Sequence, residues 1–300
     1  MKYIVGRDNF KLNNTVVTLG KFDGIHLGHK LLIDESIRSK ELGLTSVLFT
    51  FEQSNEHQYI YTEMEKQKIL EATGLDVCIV YPFDTITKQM DPKEFVKKIL
   101  IEKLGVKKIV VGKDFKFGYN RQGDVKLLKQ LGNEYGYDVV AFNKKSNEKG
   151  EEISSRRIRN NITNSEMNSV IKELGRPFSF SGIVSKGRQL GRTIGFPTIN
   201  IIPEEEKVLP KNGVYSSIII IEGESKKEYI GMTNVGNNPT VADGLNKVVE
   251  TNIFDFKKDI YGRQVQIFVV EYVREEQKFA SIDDLKCQIS KDMELIRGGV

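Results

Sequence analysis

Two histidines, His26 and His29, flank Gly28 where the sequence predicts that a helix begins. The first turn of a helix carries backbone N–H groups without helical partners and the positive end of the helix dipole, so it attracts anions. Two imidazoles at this place add donors for the same anion. Gly20, Gly24 and Gly28 let the backbone turn and approach a ligand closely. The pattern predicts a phosphate site, although a plain helix start with two surface histidines also fits it.

Two later segments carry groups that suit a polyphosphate chain. Residues 111–118 (VGKDFKFG) follow a strand-like segment and open a glycine-lined loop. Residues 153–159 (ISSRRIR) place hydroxyls and guanidinium groups at the start of another predicted helix, where phosphate oxygens find donors. A serine-capped helix with solvated arginines explains this second segment equally well. We expect both segments to converge on the face that holds the two histidines.

A glycine-rich basic stretch, GIVSKGRQLGRTIGFPTIN, occupies residues 182–200. Its glycines, together with Lys186, Arg188 and Arg192, predict a flexible loop that wraps polyphosphate. The Gly-Lys-Ser/Thr ending of a P-loop is missing from it. Thr198 and Asn200 offer neutral oxygen ligands beside the loop, which suits Mg²⁺ held mainly by ATP. The alternative is a glycine-rich turn in a β domain.

The elements that must position the first of these groups alternate between strand and helix. Strand-like segments cover 16–19, 46–51, 77–80, 108–111 and 139–142, and helical patterns cover 30–41, 63–72, 92–104 and 125–135. This alternation predicts an α/β domain with a doubly wound parallel sheet. Ligands bind beyond the carboxyl ends of the strands in such sheets, and the histidines follow the first predicted strand. The polar stretch 143–152 predicts a mobile surface loop.

The second half of the chain has a different pattern. A helical segment ends at Gly175-Arg176-Pro177, which predicts a boundary between domains 1–177 and 178–300. Beyond it, closely spaced strand-like segments joined by Gly/Asn turns predict an antiparallel β-barrel or sandwich. Ser281 precedes an apolar stripe of helical period and predicts a C-terminal helix that closes a barrel.

Composition restricts the classes of partner. The 45 basic and 41 acidic residues give a net charge of +4, which hints at anionic ligands but does not argue for nucleic acid. No apolar run resembles a signal peptide or a membrane span, so we expect a cytoplasmic protein without a membrane partner. The two cysteines, Cys78 and Cys287, are predicted to be reduced core residues.

Taken together, GKFDGIHLGH at 20–29, VGKDFKFG, ISSRRIR and the 182–200 stretch resemble the prokaryotic bifunctional riboflavin kinase/FAD synthetases. The resemblance covers essentially the whole chain, in the expected order. It implies a nucleotidylyltransferase-like first domain that transfers AMP from ATP to FMN. It implies a second domain that phosphorylates riboflavin to FMN with Mg²⁺-ATP. ATP, riboflavin and FMN would then be the small-molecule substrates.

The resemblance also implies roles for individual residues. His26 and His29 would contact the ATP phosphates and stabilise charge in the transition state at the α-phosphorus. The implied nucleotide-binding residues of the first domain are Gly20, Phe22, Asp23, Gly24, Gly28, Gly112, Asp114, Ser154, Ser155, Arg157 and Arg159. Those of the second domain are Gly182, Lys186, Gly187, Gly191 and Gly195.

The chemistry of the implied kinase domain rests on four further residues. Glu250, in VVETNIFDF, would be the base that takes the proton from the riboflavin 5′-hydroxyl. Thr198 and Asn200 would hold the metal of Mg²⁺-ATP. Arg274, in YVREEQKF, falls where this family has an arginine loop near the flavin.

Two departures from the family pattern lie in the first domain. Gln53, Ser54 and Asn55 replace a Pro-His-Pro that follows the second strand in the family. Arg156 replaces a threonine, where it would either add a phosphate contact or fill space meant for a small hydroxyl. The alternatives to a bifunctional enzyme are therefore a riboflavin kinase with a degenerate first domain and a non-catalytic flavin-sensing regulator.

Overall fold

The computed structural model describes residues 1–53, 58–187, 190–224, 227–237 and 247–299, apart from the side chains of Leu190 and Asn237. The chain divides into two compact units, Met1–Ser155 and Arg156–Val300. The boundary that the sequence predicts after Pro177 lies further along the chain, where the sheet of the second unit begins. As a boundary between functional domains it stays a prediction.

The first unit alternates strands with helices. Its elements are β1 (Lys2–Val5), β2 (Thr15–Leu19), α1 (Leu27–Arg38) with a 3₁₀ turn (Ser39–Leu42), β3 (Thr45–Phe51), α2 (Glu63–Glu71), β4 (Val77–Tyr81), α3 (Thr85–Lys88), α4 (Pro92–Phe95) with a π-helical continuation (Val96–Ile101), β5 (Val106–Gly112), β6 (Lys116–Phe117), a 3₁₀ turn (Tyr119–Arg121), β7 (Gly123–Asp124), α5 (Val125–Tyr135) and β8 (Asp138–Phe142). The strands and helices that the sequence predicts are all present.

Parallel strands form the sheet of this unit in the order β1-β4-β3-β2-β5-β8. From β2 the chain proceeds outward through β3 to β4 and then returns past β2 to β5. This reversal opens a crevice at the carboxyl ends of β2 and β5. The predicted doubly wound α/β sheet is confirmed. The edge strand β1 is not predicted, because Ile4 is the one buried residue in its short sequence KYIV.

Helices cover both faces of the parallel sheet. Val17 of β2 belongs to the core cluster that includes Leu100, and Val16 belongs to the opposite cluster with Ile33 of α1. Every residue of β2 is buried, as expected for a central parallel strand. The sheet is therefore a rigid support for the loops that leave its carboxyl edge.

The second unit begins with helices and continues as an antiparallel sheet. Its elements are α6 (Ser155–Thr163), which starts at the last residue of the first unit, α7 (Met167–Leu174), β9 (Phe178–Ile183), α8 (Leu190–Thr193), β10 (Ile199–Ile201), β11 (Gly213–Ile221), β12 (Glu228–Asn237), β13 (Lys247–Ile253), β14 (Gln264–Arg274) and α9 (Ile282–Gly298).

The antiparallel sheet has the order β10-β13-β12-β11-β14-β9. Its two edges approach each other, because the backbone N–H of Ser185, just after β9, donates to the carbonyl oxygen of Asn200 in β10 at 2.8 Å. A Cβ on Gly182 would lie 3.2 Å from Cβ of Ile201, so the two edge strands are also in close contact there. The sheet thus curls into the predicted barrel.

Three buried hydroxyls link β11, β12 and β13. Thr233 Oγ1 lies 2.7 Å from Ser217 Oγ and 2.9 Å from Thr251 Oγ1. A buried hydroxyl that loses its partner remains unsatisfied, so this ladder opposes any slip of β13 along β12. The register that it protects also fixes the place of Glu250.

The C-terminal helix α9 is confirmed, and Ser281 caps it by accepting the N–H of Asp284 at 3.1 Å. Its buried side chains are Ile296 and Asp292. Asp292 is 3% exposed and lies 2.7 Å from Nη2 of Arg274 in β14. A buried ion pair therefore joins this helix to the barrel, in addition to the predicted apolar stripe.

The two cysteines differ in environment. Both are free thiols, and Cys78 is buried in β4. Cys287 is exposed on α9, so the prediction that it lies in the core is wrong. The apolar stripe of α9 is only partly buried, and the side chain of Cys287 on the same helix is therefore accessible to solvent. Within the described ranges, no helix is both long and apolar enough to cross a membrane.

Thr233→Val should loosen β12 and β13, because it removes the central hydroxyl of the ladder and keeps the side-chain shape. We expect the free energy of local opening to fall by about 1–3 kcal/mol. Hydrogen exchange of the full chain, followed by mass spectrometry, should show faster exchange in residues 247–253. Thr163→Val, at an exposed hydroxyl of α6, is the control. Unchanged exchange in Thr233→Val would contradict this role of the ladder.

Candidate active sites

A cavity of about 680 Å³ opens beyond the carboxyl ends of β2 and β5 in the first unit. The structure brings together there nine of the residues that the sequence predicts: Gly20, Phe22, His26, Gly28, His29, Gly112, Asp114, Ser154 and Ser155. The predicted segments 20–29 and 111–118 therefore converge with residues 153–155, the part of the third segment that belongs to this unit.

The loop between β2 and α1 has an unusual backbone. Phe22, Gly24 and Ile25 have φ values of 49°, 83° and 42°. Such conformations are costly for residues with a side chain, and here burial of Phe22 and Ile25 in the core holds them in place. A Cβ on Gly24 would lie 2.7 Å from Cδ1 of Ile60. Glycine is therefore required there both by the positive φ and by the lack of space for a Cβ.

His26 is the N-cap of α1. Its Nδ1 accepts the backbone N–H groups of Gly28 at 3.1 Å and His29 at 3.3 Å. His26 therefore occupies two of the N–H groups that the helix start would otherwise offer to an anion, and anion binding at this helix start stays a prediction. A neutral His26 whose Nδ1 accepts carries its ring proton on Nε2. Nε2 is then the ring atom that has a proton to donate.

The two histidine rings are stacked. Their centroids lie 3.7 Å apart with an interplanar angle of 17°, and the ring of Phe22 packs 5.0 Å from that of His29. His26 is 6% exposed. The pair is thus preorganised at the cavity wall, as electrostatic stabilisation of a reacting anion requires.

Asp23 and Gly24 support the loop from behind the cavity wall. Oδ1 of Asp23 accepts the backbone N–H of Ile60 at 2.9 Å, and its carbonyl oxygen accepts the hydroxyl of Ser155 at 2.7 Å. Asp23 is 7% exposed and does not line the cavity. The structure therefore gives its carboxylate a scaffolding contact.

Sequence reasoning missed the cations of the cavity. Lys21, Arg121, Lys144 and Lys145 line it. The segment 143–152, predicted as a mobile surface loop, supplies two of them because it leaves the carboxyl end of β8. The carboxyl-edge rule that located the histidines would also have found this segment.

Lys144 is held by two carboxylates. Its Nζ lies 2.9 Å from Oε2 of Glu152 and 3.3 Å from Oδ2 of Asp114. Hydrogen bonds to Glu152 and Asp114 raise the pKa of Lys144 above its ordinary value, so it remains an ammonium. Asp114 thus faces a cation at the mouth of the cavity.

Aromatic side chains form another wall of the same cavity. The rings of Phe115 and Phe117 are stacked with an interplanar angle of 13° and centroids 5.6 Å apart. Phe51 and Phe83, with centroids 5.1 Å apart, line it as well. The cavity therefore combines a cationic region that suits phosphates with an apolar region that suits flat rings.

The second unit carries its own polar cluster on the barrel. Asn200 of β10 pairs with Glu250 of β13, and Glu250 pairs on its other side with Asn234 of β12. Directly paired residues of neighbouring strands point to the same face. Strand register therefore brings the predicted metal ligand Asn200 beside the predicted base Glu250.

The glycine loop lies against the predicted metal ligands. A Cβ on Gly187 would lie 2.4 Å from Nδ2 of Asn200, and one on Gly191 would lie 3.4 Å from Oγ1 of Thr198. Gly195 has a φ of 94°. Nζ of Lys186 lies 5.8 Å from the ring centre of Tyr261. Arg188, which the sequence assigns to the same loop, lies outside the described residues.

These groups fit a magnesium ion that reaches the site with a nucleotide. The amide of Asn200 and the hydroxyl of Thr198 are hard oxygen ligands, and the glycines leave room at the position that a Cβ would fill. Among the described residues, no three His, Cys, Asp or Glu side chains gather to hold a metal by themselves. Two neutral ligands suit an ion that is bound mainly by phosphates.

Asn252 is a further residue that sequence reasoning missed. It is 5% exposed, and its Nδ2 donates to the carbonyl oxygen of Pro197 at 2.7 Å. This bond fixes the backbone directly before Thr198. Its place two residues after Glu250 in an alternating strand was the available signal.

Two family models cover most of the chain. The model for FAD synthetase matches residues 8–157, and the model for riboflavin kinase matches residues 174–298. The bifunctional riboflavin kinase/FMN adenylyltransferase of Escherichia coli K12 is 36% identical over 97% of this chain and 96% of its own length. The chain belongs to this family. The corresponding protein of Haemophilus influenzae is 35% identical over 95% of this chain and 94% of its own.

A solved structure also matches the chain from end to end. It is described as a macrolide-efflux protein from Streptococcus pneumoniae and is 30% identical, with a TM-score of 0.89 over 99% of both chains. Both sheets therefore recur in that protein. The efflux activity in its description is said of that protein alone.

Two of the arginines expected from the family pattern, Arg274 and Arg157, have partners within the second unit. Arg274 donates from Nε to both carboxylate oxygens of Asp292, at 3.1 and 2.9 Å. Arg157 donates from Nε to Oε1 of Glu173 at 2.6 Å, and Arg159 follows on the same helix, α6. Their roles towards flavin and nucleotide stay predictions.

The family departures are only partly visible. Nε2 of Gln53 donates to the carbonyl oxygen of Tyr61 at 3.0 Å, which ties the end of β3 to the segment before α2. Ser54 and Asn55 lie outside the described residues. Arg156 is exposed on α6, so it does not fill a buried space meant for a hydroxyl.

His26→Ala should destabilise α1, because no side chain would then cap the N–H groups of Gly28 and His29. We expect a loss of about 1 kcal/mol in the free energy of unfolding. His26→Asn should recover most of it, since asparagine is a good N-cap. Urea unfolding followed by circular dichroism measures both. Equal stability of the two variants would argue against the capping role.

Proposed function

We propose that the second unit phosphorylates riboflavin to FMN and that the first unit transfers AMP from ATP to FMN, giving FAD and pyrophosphate. The observation that carries this proposal is that both family matches coincide with a built site. The histidine pair lines a cavity of about 680 Å³, and Asn200 pairs with Glu250 on the barrel. We further propose that both reactions take place in the cytoplasm.

In the first unit, an FMN phosphate oxygen attacks the α-phosphorus of ATP and pyrophosphate leaves. Nε2–H of His26 donates to a phosphate oxygen, and His29 supports it from the stacked position. Lys21 and Arg121 offset the negative charge of the triphosphate. No covalent enzyme intermediate is needed, because positioning and electrostatics supply the catalysis. The wall of Phe115 and Phe117 suits the flavin ring.

In the second unit, the 5′-hydroxyl of riboflavin attacks the γ-phosphorus of ATP and ADP leaves. Glu250 accepts the hydroxyl proton as general base. Thr198 and Asn200 would hold Mg²⁺, which supplies neutralisation of the phosphate charge. Lys186, Gly187, Gly191 and Gly195 lie in the segment between β9 and β10, which would cover the phosphates, whereas Gly182 lies in β9 itself. A role for Arg274 at the flavin requires it to leave Asp292.

The kinase-only and flavin-sensor alternatives are less well supported. The FAD synthetase model matches residues 8–157 in spite of the changes at Gln53, Ser54, Asn55 and Arg156. Capping of α1 would explain His26 in a degenerate domain, but it would not explain the second histidine stacked on it. A sensor needs no base, whereas Glu250 lies directly across from Asn200.

The experiment that tests the proposal is a chromatographic assay of the purified chain with Mg²⁺-ATP. Riboflavin and FMN are supplied in separate reactions, and FMN, FAD, ADP and pyrophosphate are scored. Riboflavin should give FMN and then FAD, and FMN should give FAD. Formation of FMN without any FAD would support the kinase-only alternative. Binding of flavin without any product would support the flavin-sensor alternative.

Glu250→Gln should lower FMN formation by about 10²–10⁴-fold, because the amide cannot take the hydroxyl proton. Adenylylation of supplied FMN should be unchanged in the same preparation, which serves as the internal control. Loss of both activities would contradict two independent sites.

His26→Asn should lower FAD formation from supplied FMN by about 10²–10³-fold, since asparagine caps α1 but does not place the imidazole donor. Riboflavin phosphorylation by the same sample should equal that of the wild type. FAD formation at the wild-type rate would show that the ring of His26 serves only as a cap.

A further inference from the structure

Lys66 of α2 is a buried cation that the proposed reactions do not use. It is 1% exposed. Its Nζ donates to Oγ1 of Thr50 at 3.3 Å and lies 3.6 Å from Oε1 of Glu63. Burying an ammonium costs free energy unless its contacts offset the loss of water. A lysine in this position therefore calls for an explanation beyond packing.

Thr50, near the end of β3, connects Lys66 to the loop between β2 and α1. Its hydroxyl donates to the carbonyl oxygen of Lys21 at 3.0 Å. An ammonium can only donate, so it occupies a lone pair of the threonine oxygen and leaves the single hydroxyl proton for Lys21. Lys66 thus fixes the direction in which Thr50 donates.

Lys21 lies in the strained loop that leads to His26. The next residue, Phe22, has a φ of 49°, and Lys21 lines the cavity. Anchoring the carbonyl of Lys21 fixes the peptide plane between these two residues. It thereby constrains the path of the chain towards the N-cap of α1.

Glu63, the other contact of Lys66, is also held in place. Oε2 of Glu63 accepts the hydroxyl of Tyr3 in β1 at 2.9 Å. Thr62 and Glu65 form a capping box at the start of α2. The first turn of α2 therefore presents Lys66 from a fixed position, as a support for an active-site loop must.

We propose that Lys66 is a positioning residue for adenylyl transfer, which acts through Thr50 on the loop between β2 and α1. This inference rests on the proposed function of the first unit. Lys66 does not contact the reacting groups; it holds the carbonyl of Lys21, and with it the approach to His26, in the geometry that binds the triphosphate.

The test uses the full chain and the conversion of FMN to FAD. Lys66→Met and Thr50→Val each remove one link of the contact chain and keep the side-chain volume. We expect each to lower kcat on the order of 10²-fold, the effect of a small misplacement of catalytic groups. Thr50→Ser keeps the hydroxyl and should therefore retain the activity that Thr50→Val loses. Lys68→Met, at an exposed lysine of the same helix, is the matched control and should resemble the wild type.

Two readouts separate positioning from a merely structural role. The double variant of Lys66→Met and Thr50→Val should lose no more activity than either single variant, because both act through one contact. Phosphorylation of riboflavin by the same samples should stay at the wild-type rate.

Three results would overturn the inference: an unchanged kcat in Lys66→Met, additive losses in the double variant, or a parallel loss of kinase activity. Should Lys66→Met fold poorly, Thr50→Val and Thr50→Ser carry the same comparison. Wild-type protein that forms no FAD would instead contradict the proposed function.

Discussion

Hydrogen bonding between neighbouring strands determines which side chains meet at each candidate site. In the first unit, β2 lies between β3 and β5, so the loops after β2 and β5 open onto one crevice. In the barrel, the pairing of β13 with β10 and β12 sets Glu250 between Asn200 and Asn234. A shift by one residue would turn Glu250 to the other face of the sheet. The buried hydroxyls around Thr233 protect that register.

In the proposed function both sites bind a nucleotide polyphosphate, but they differ in the structural features that would do so. The first has a loop whose strained backbone is held by buried Phe22 and Ile25, and an imidazole that caps the helix and, in the proposed reaction, donates to a phosphate oxygen. The second uses a loop in which glycines pack directly against Asn200 and Phe196, so that backbone and not side chain covers the site. Preorganisation in the first and close backbone approach in the second are two routes to phosphate binding.

The sequence predicts the architecture well because its signals are local. Alternating strand and helix patterns identify the parallel sheet, and Gly/Asn turns identify the barrel. The contacts that orient side chains depend on three-dimensional geometry that no pattern specifies. Nδ1 of His26 caps α1 only because the strained loop before the helix turns its ring back onto the first N–H groups, and the contacts of Arg274 with Asp292 and of Lys66 with Thr50 depend on how neighbouring elements pack. Lys144 was missed for another reason. The composition of its polar segment suggested a surface loop, although the segment follows a strand and therefore leaves the carboxyl edge of the sheet, where the cavity lies.

The central claim is that one chain carries two chemically independent sites linked by free FMN. Mixing His26→Asn protein with Glu250→Gln protein tests it most directly. Each variant alone should fail to convert riboflavin to FAD at an appreciable rate, since each lacks one of the two steps. The mixture should form FAD from riboflavin and Mg²⁺-ATP, because FMN released by the first variant is adenylylated by the second. A mixture that forms no FAD, while each variant keeps its remaining single activity, would contradict the account.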